Sequence, residues 1–274
     1  MSIENNILEL GKNAKKASLE IKLCSNDQKN AALSSLIKNI SKNKDKILEA
    51  NNIDIENGKK KSLSKPLINR LTLTDKSIEG LIKSIEDIIT IPDPIGLTLE
   101  EWERPNGLKF RKISTPLGVL GVIYESRPNV TVDASCLSIK SGNSIILRGG
   151  SDSFHSSREL VSNITQSFNE AGLPNHCVQM IDTPAREAVD YLLKMKDYVD
   201  VIIPRGGKGL IEKINSSSKI PVIKHLDGIC HVYVDKEADL KIAEKVVFNS
   251  KMRRPEICGA AETLLIDESI KDKA

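Results

Sequence analysis

The chain has 274 residues, of which 39% are hydrophobic and 28% charged, values that are ordinary for a globular protein with a sizeable core. Its 40 Lys and Arg residues nearly balance 37 Asp and Glu, so the net charge of +3 argues against broad electrostatic binding to nucleic acid or to a membrane surface. Its apolar runs are shorter than the roughly 20 residues that cross a bilayer, and its five scattered cysteines suggest neither a disulfide framework nor a metal site. We therefore expect a cytoplasmic protein that binds no metal.

The first ninety residues are predicted to be helical, because apolar residues recur there at steps of three and four. Residues 25–27 (Ser-Asn-Asp) supply a helix cap between two of these apolar stripes. After the helices, residues 99–113 (LEEWERPNGLKFRKI) are predicted to form a β-hairpin, since Pro-Asn-Gly provides a turn and its flanks partly alternate.

From residue 119 onward, short apolar runs alternate with helical stretches. The runs are predicted strands, at Val119–Tyr124, Ser144–Leu147, Cys177–Ile181, Val199–Ile203 and Ile220–Ile223. Strands that are rich in Ile and Val and apolar on both faces are typical of a parallel sheet covered by helices on two sides. The sequence therefore predicts an α/β protein with a doubly wound parallel sheet, and a second region with its own strand and helix begins near residue 229.

Two predicted strands end in the same pattern, in which an arginine precedes a glycine pair and the start of a helix. The first carries Arg148 and Gly149, and the second carries Arg205, Gly206 and Gly207. Open parallel sheets bind ligands at the carboxyl ends of their strands, where helix-start N–H groups and arginine favour phosphate. Each motif fits equally well a tight turn with an exposed arginine, so both interpretations stay open.

A third strand end, YESRPNV (124–130), places Arg127 and Asn129 on either side of a proline. Arginine can clamp a carboxylate or phosphate, and asparagine can donate to a developing oxyanion. The alternative is a hydrogen-bonded turn at the start of a helix. His225 follows a further predicted strand and is a candidate for lining a cleft.

Cys258 lies in the segment RRPEICGAAE (253–262), in surroundings that differ from those of the other cysteines. Arg253 and Arg254 would favour a thiolate, and the small residues that follow leave space beside the sulfur. The alternative is a buried thiol that fills a gap in the core, which is the expectation for the other four cysteines. Local features alone leave both roles open.

Three segments, 116–153, 199–214 and 253–267, resemble in combination the gamma-glutamyl phosphate reductase family, a branch of the aldehyde dehydrogenase superfamily. The resemblance covers essentially the whole chain. It implies an aldehyde dehydrogenase-like fold and the NADPH-dependent reduction of L-glutamyl 5-phosphate to glutamate 5-semialdehyde, through a thioester on Cys258. It further implies that Asn129 helps to hold the oxyanion.

The resemblance also implies roles for several basic residues. Arg127, Arg253 or Arg254 would receive the substrate phosphate. Arg148 matches the residue beside the adenosine ribose, and the 205–209 turn matches the segment beside the pyrophosphate. His225 stands where hydrolytic relatives place a water-activating glutamate, which a reductase does not need.

The expected organisation is a cofactor domain over residues 1–228, with N-terminal helices, and the beginning of an α/β catalytic domain over residues 229–274. Because members of the resembled family are longer, we expect a carboxyl-terminal truncation. The 99–113 hairpin resembles an oligomerisation ribbon, which implies a homo-oligomer of the full-length protein, and glutamate 5-kinase is a candidate partner. The alternatives are a nucleotide-binding fragment without catalysis and an aldehyde dehydrogenase of another specificity.

Overall fold

Five helices fill the first ninety residues, as the apolar periodicity predicts. The computed structural model describes residues 2–224, 228–255 and 257–273. The helices are α1 (Ile3–Ile21), α2 (Asn26–Lys42), α3 (Lys44–Lys60), α4 (Lys65–Leu71) and α5 (Asp75–Thr90). Ser25 caps α2, and the Gln28 side chain bonds back to the Ser25 backbone, so the predicted cap is confirmed. No helix within the described ranges is long and apolar enough to cross a membrane.

The helices differ in what their buried faces contain. The buried face of α5 is wholly aliphatic, with Ile78, Leu81, Ile85 and Ile88. The buried face of α3 has the same helical spacing but includes two polar side chains, at Ile47, Asn51, Asp54 and Gly58. Such a polar stripe requires hydrogen-bond partners from neighbouring elements, which α3 finds at the start of a later helix.

The predicted hairpin is confirmed. Strands β1 (Thr98–Glu103) and β2 (Lys109–Ile113) pair in antiparallel fashion, and every residue of both strands is exposed. Trp102 and Phe110 stack across the strands with ring centroids 5.3 Å apart. The cross-strand aromatic pair stabilises the hairpin although neither strand faces a core.

A four-stranded parallel sheet follows, formed by the Ile- and Val-rich runs. Its strands are β3 (Val119–Tyr124), β4 (Ser144–Arg148), β5 (Val178–Met180) and β6 (Val201–Arg205), in the spatial order β5-β4-β3-β6. The connecting helices are α6 (Asn129–Lys140), α7 (Phe154–Glu170) and α8 (Glu187–Leu192), and α9 (Lys208–Ser217) follows β6. The chain thus moves outward from β3 in one direction and then returns to its other side, which confirms a doubly wound sheet.

Alternate residues of the strands enter two separate cores, one on each face of the sheet. In β3, Leu120 and Val122 pack with α2, α5, α6 and α7, whereas Val119 and Ile123 pack with α8, α9 and the first half of α1. This two-sided burial explains why the strands are continuous apolar runs rather than alternating ones.

The predicted strand Ile220–Ile223 is wrong, because only one parallel bridge forms there, between Ile202 and Val222. Pro221 lies within the segment and has no N–H to donate to a ladder. The segment therefore runs beside β6 without becoming a strand.

The chain divides into two compact units, residues 1–224 and residues 225–274. The second unit contains β7 (Cys230–Val234), α10 (Leu240–Met252) and β8 (Ala261–Ile266), with β7 and β8 parallel. Among the described residues of this unit only Val234 and Ala260 are buried. A unit with so few buried side chains has little core of its own.

Candidate functional site

The carboxyl ends of three neighbouring strands lie at one edge of the sheet in the first unit. Strand β3 is central, and its last residues pair with the ends of both neighbours, Ile123 with Arg148 and Tyr124 with Arg205. Because the strands are parallel, the loops that follow them leave from the same edge. The fold therefore brings together the segments 124–130, 148–150 and 205–209, which the sequence singled out separately.

The winding of the sheet reverses between β3 and β6. There the Glu125 amide donates to the Arg205 carbonyl at 3.2 Å, and the glycine pair leads into α9. A Cβ on Gly206 would lie 2.7 Å from the Glu125 Cδ atom, so the absent side chain lets these two loops approach. Gly207 precedes α9 and gives it no side-chain cap. Such an uncapped helix start, at the reversal point, is suited to a phosphate group.

Arg148 is held firmly at the end of β4. Its side chain is only 9% exposed, and its Nη1 and Nη2 atoms donate to the carbonyls of Gly149 at 2.5 Å and Pro184 at 3.1 Å. The Nε atom is buried and has no hydrogen-bond partner in the described part of the chain. Burial, followed by the positive charge of Arg186, lowers the pKa of the Arg148 guanidinium. The group therefore carries a charge that its surroundings only partly stabilise.

The glycine pair after Arg148 packs tightly against the end of β3. A Cβ on Gly149 would lie 3.1 Å from the Tyr124 hydroxyl, and one on Gly150 would lie 3.1 Å from the Ser126 backbone nitrogen. The Ser126 hydroxyl donates to Asp152 at 3.2 Å, which links the loops that follow β3 and β4. Small residues are therefore required here for close packing of backbone segments.

An aspartate from the N-terminal helices fixes the start of α7. The buried Asp54 carboxylate accepts from the His155 amide at 3.1 Å and from the Ser156 amide and hydroxyl at 2.7 and 2.6 Å. Asn51 donates to the same hydroxyl at 3.0 Å. Because α7 has no side-chain cap of its own, α3 supplies it, and this in turn holds the loop that follows Arg148. The sequence analysis did not identify Asn51 and Asp54 as the residues that cap α7.

Arg127 lies in the loop between β3 and α6, Asn129 is the first residue of α6, and both are exposed. Helix α6 begins at Asn129, whose side-chain Nδ2 atom donates to the Asp133 carboxylate at 3.2 Å. The amide group thus bonds within its own helix, as the turn interpretation predicts. A role in holding an oxyanion stays a prediction.

Cys258 lies in the loop between α10 and β8 of the second unit. It is exposed, and its carbonyl accepts from the Cys230 thiol at 3.4 Å. Apart from Gly259 and its two chain neighbours, no atom of the described residues lies within 4 Å of where a Cβ on Gly259 would be, so the small residue leaves open space next to Cys258. Arg253 and Arg254 are exposed in the same segment. An accessible thiol with free space around it is suited to attack a carbonyl carbon.

The remaining cysteines lie in different surroundings. Cys136 and Cys177 are buried, and burial raises the pKa of both thiols, that of Cys177 to about 12. Cys24 and Cys230 are half-buried. Cys258 is thus the one exposed thiol among the five, whereas His225 lies outside the described residues.

Comparison with known proteins identifies the family to which this arrangement belongs. Residues 3–274 match the model of the aldehyde dehydrogenase family. The chain belongs to the aldehyde dehydrogenase family. Its parallel sheet with helices on both faces agrees with this assignment and with the resemblance found in the sequence.

Within this family, the chain is similar to proteins named gamma-glutamyl phosphate reductase. It is 45% identical over 273 residues to the one from Thermodesulfovibrio yellowstonii, an alignment that covers 100% of this chain and 65% of the relative. It is 50% identical over 265 residues to the one from Ruthia magnifica, covering 97% of this chain and 63% of the relative. The chain therefore spans just under two thirds of the length of these relatives.

The solved structure of a relative has the same fold. The crystal structure of gamma-glutamyl phosphate reductase from Thermotoga maritima superposes with a TM-score of 0.89 at 38% sequence identity, covering 97% of this chain and 64% of that one. The aldehyde dehydrogenase-like fold predicted from the sequence is confirmed.

Arg186 is a residue at this edge that the sequence analysis did not single out. It precedes α8 in the loop after β5, is exposed, and lies close enough to Arg148 to influence its pKa. The segment DTPAR (182–186) follows the predicted strand Cys177–Ile181. Because ligand-binding residues follow the strands of a parallel sheet, the position of Arg186 after this strand is the sequence signal that points to it.

Proposed function

We propose that this chain carries the cofactor site and the catalytic thiol of a reductase that converts L-glutamyl 5-phosphate and NADPH into glutamate 5-semialdehyde, phosphate and NADP+. The observation that carries the proposal is the single exposed thiol, Cys258, in a chain 45% identical over its full length to a gamma-glutamyl phosphate reductase. The reaction is the second step of proline biosynthesis. The proposed division assigns residues 1–228 to cofactor binding and residues 229–274 to the catalytic domain.

The residues at the carboxyl edge of the sheet fit a dinucleotide with phosphate groups. Arg205, Gly206 and Gly207 would hold the pyrophosphate, because they combine a cation with a glycine approach and an uncapped helix start. Arg148 and Gly149 would hold the adenosine ribose, because a buried Nε without a partner favours an added acceptor. When bound, the dinucleotide supplies hydride to the thioester carbon.

The chain's own residues would carry out the acyl transfer. The Cys258 thiolate attacks the acyl-phosphate carbonyl, a C–S bond forms, and phosphate leaves as the C–O bond breaks. Asn129 and a backbone N–H near Cys258 would hold the oxyanion. After reduction, Cys258 leaves the carbon as a thiolate and the aldehyde is released.

Further basic residues would recognise the substrate's anionic groups. Arg127, Arg253 or Arg254 would receive the phosphate, because guanidinium groups bind phosphate oxygens through paired hydrogen bonds. All three are exposed. His225, which stands where hydrolytic relatives carry a water-activating glutamate, would line the substrate cleft, since a reductase does not need to activate water against its thioester.

We also propose partners and a cellular location for the full-length protein. The fully exposed hairpin β1–β2, with its stacked aromatic pair, would pair with another copy of the full-length protein. L-glutamyl 5-phosphate is a reactive acyl phosphate, so a glutamate 5-kinase that makes it is the expected partner. Five free thiols favour a reducing compartment such as the cytoplasm.

Replacing the thiol tests the chemistry separately from cofactor binding. We expect Cys258→Ser to abolish phosphate-dependent oxidation of glutamate 5-semialdehyde, followed by the absorbance of reduced nicotinamide, and to leave the Kd for NADPH unchanged. Cys24→Ser, which alters a half-buried thiol in the first unit, is the matched control and should retain activity. The pair should be made in this chain and in a version extended to the length of its relatives. Activity of Cys258→Ser above a few per cent of the parent would exclude covalent catalysis.

A second function, nucleotide binding without chemistry, is favoured by the small number of buried residues in the second unit. The same titration distinguishes the two, since NADPH binding without turnover in this chain favours the binding fragment. Oxidation of simple aldehydes that needs no phosphate would instead indicate an aldehyde dehydrogenase of another specificity.

A further inference from the structure

Two arginines from different loops lie close together at the β4–β5 side of the sheet edge. The Nη2 atom of Arg148 donates to the Pro184 carbonyl at 3.1 Å, which holds its guanidinium against the loop that follows β5. Arg186 is two residues further along that loop and is exposed. The Thr183 hydroxyl accepts from the Ala185 amide at 3.2 Å, so a local turn fixes the backbone that leads to Arg186.

Neither arginine of this pair has a salt-bridge partner in the first unit, although Glu187 follows Arg186 directly in the chain. Among residues 2–224, no carboxylate forms an ion pair with Arg148 or Arg186, and the nearby Asp182 pairs with Arg158 at 3.6 Å. Arg148 is 9% exposed, so much of its hydration is lost, and its Nε has no partner in the same range of residues. Two like charges near one buried position repel each other, and a dianionic group bound to both would replace that repulsion with attraction.

The position of the pair in the sheet indicates which part of a dinucleotide it would meet. The winding reverses between β3 and β6, where the pyrophosphate is proposed to bind, whereas Arg148 ends β4 on the opposite side of β3. In doubly wound sheets the residue about 20 positions beyond the first strand reads the adenosine 2′ position, with an acid for a hydroxyl and an arginine for a 2′-phosphate. Here that place holds Arg148, and Arg186 adds a second donor beside it.

We propose that Arg186, together with Arg148, binds the 2′-phosphate of NADPH and makes the protein prefer the phosphorylated dinucleotide. This proposal rests on the proposed function, because it assumes that a nicotinamide dinucleotide occupies the sheet edge. Arg148 provides a fixed charge, and the exposed Arg186 closes on the phosphate through a planar pair of donors. NADH carries a hydroxyl at the same position and gains little from either guanidinium.

The test compares ligands that differ only in this phosphate, measured by equilibrium binding to the 274-residue chain. We expect the wild-type chain to bind NADPH more tightly than NADH, and 2′,5′-ADP more tightly than 5′-AMP. Arg186→Gln should weaken NADPH and 2′,5′-ADP by about tenfold or more, because a charge-assisted contact is lost, and should leave NADH unchanged. Arg186→Lys, which keeps the charge, should recover part of the loss. Arg70→Gln removes an exposed arginine from α4 and should change none of the four affinities.

Several outcomes would overturn the proposal. Equal affinity of the wild-type chain for NADPH and NADH, or equal weakening of both by Arg186→Gln, would refute it while leaving dinucleotide binding intact. Unchanged 2′,5′-ADP affinity with a raised KM for phosphate would assign Arg186 to the substrate instead. If the wild-type chain bound neither dinucleotide, this proposal and the cofactor part of the proposed function would both be wrong.

Discussion

The start of α7 depends on a side chain that lies about a hundred positions earlier in the sequence. Asp54 is 2% exposed and accepts three hydrogen bonds, from the His155 amide and from the amide and hydroxyl of Ser156. Replacement by alanine removes all three acceptor contacts without altering the residues that donate them. The Ser156 hydroxyl still accepts from Asn51, but both amides lose their acceptor inside the protein.

The magnitude follows from those two amides. Each buried donor left without a partner costs roughly 1–3 kcal/mol, so Asp54→Ala should lower the free energy of unfolding of the first unit by about 4 kcal/mol. For a unit of this size, a loss of 1 kcal/mol in unfolding free energy lowers the Tm by about 2–4 °C. We therefore expect the Tm of Asp54→Ala to fall by about 8–16 °C.

Circular dichroism at increasing temperature and urea concentration measures the loss, and hydrogen exchange locates it. The His155 and Ser156 amides should exchange faster in Asp54→Ala than in the parent. Glu49→Ala removes an exposed carboxylate from the same helix and should change the unfolding free energy by less than about 0.5 kcal/mol. A loss below about 1 kcal/mol for Asp54→Ala, or an equal loss for Glu49→Ala, would refute the assignment of Asp54 as the cap of α7.

Two further predictions concern a glycine and the thiols. Gly118 has a φ of +121°, and a Cβ there would collide with the Asp200 carboxylate. Gly118→Ala should therefore lower the free energy of unfolding, measured in urea, by at least about 2 kcal/mol. Gly80→Ala, in an open helical position, should instead stabilise by roughly 0.5–1 kcal/mol, and equal effects would contradict the backbone argument. In mass-spectrometric mapping with iodoacetamide at neutral pH, Cys258 should be alkylated well before Cys177, because a pKa of about 12 leaves the buried thiol protonated until the solution becomes strongly alkaline. Faster labelling of Cys177 would contradict both its burial and its raised pKa.

Apolar patterns predicted many of the helices and strands because the apolar side chains of these elements are the ones that enter the core. The strand Val119–Tyr124 has the predicted bounds, since its apolar residues enter a core on each face of the sheet. The predicted strand Ile220–Ile223 is wrong although its composition is that of a strand, because Pro221 interrupts the hydrogen-bond ladder.

Polar burial is the part of the structure that periodicity does not reveal. Asn51 and Asp54 occupy core positions of α3, yet their types are those of surface residues, and their partners lie on α7 and before α5. The proximity of Arg148 and Arg186 likewise depends on β4 and β5 being neighbouring strands, and no local sequence feature specifies that they are neighbours. Such contacts follow from strand order, and the sequence alone leaves that order open.

The long reach of α1 has a consequence during synthesis. Lys15 bonds to Asp200 at 3.0 Å across a separation of 185 residues, and Gln179 bonds to the Leu10 carbonyl across 169. At a translation rate of about 5–20 residues per second, the ribosome needs roughly 10–40 s after α1 to reach α8 and Asp200. For that interval α1 lacks its native contacts with α8, and a nascent-chain chaperone has time to bind the apolar side that α8 later covers.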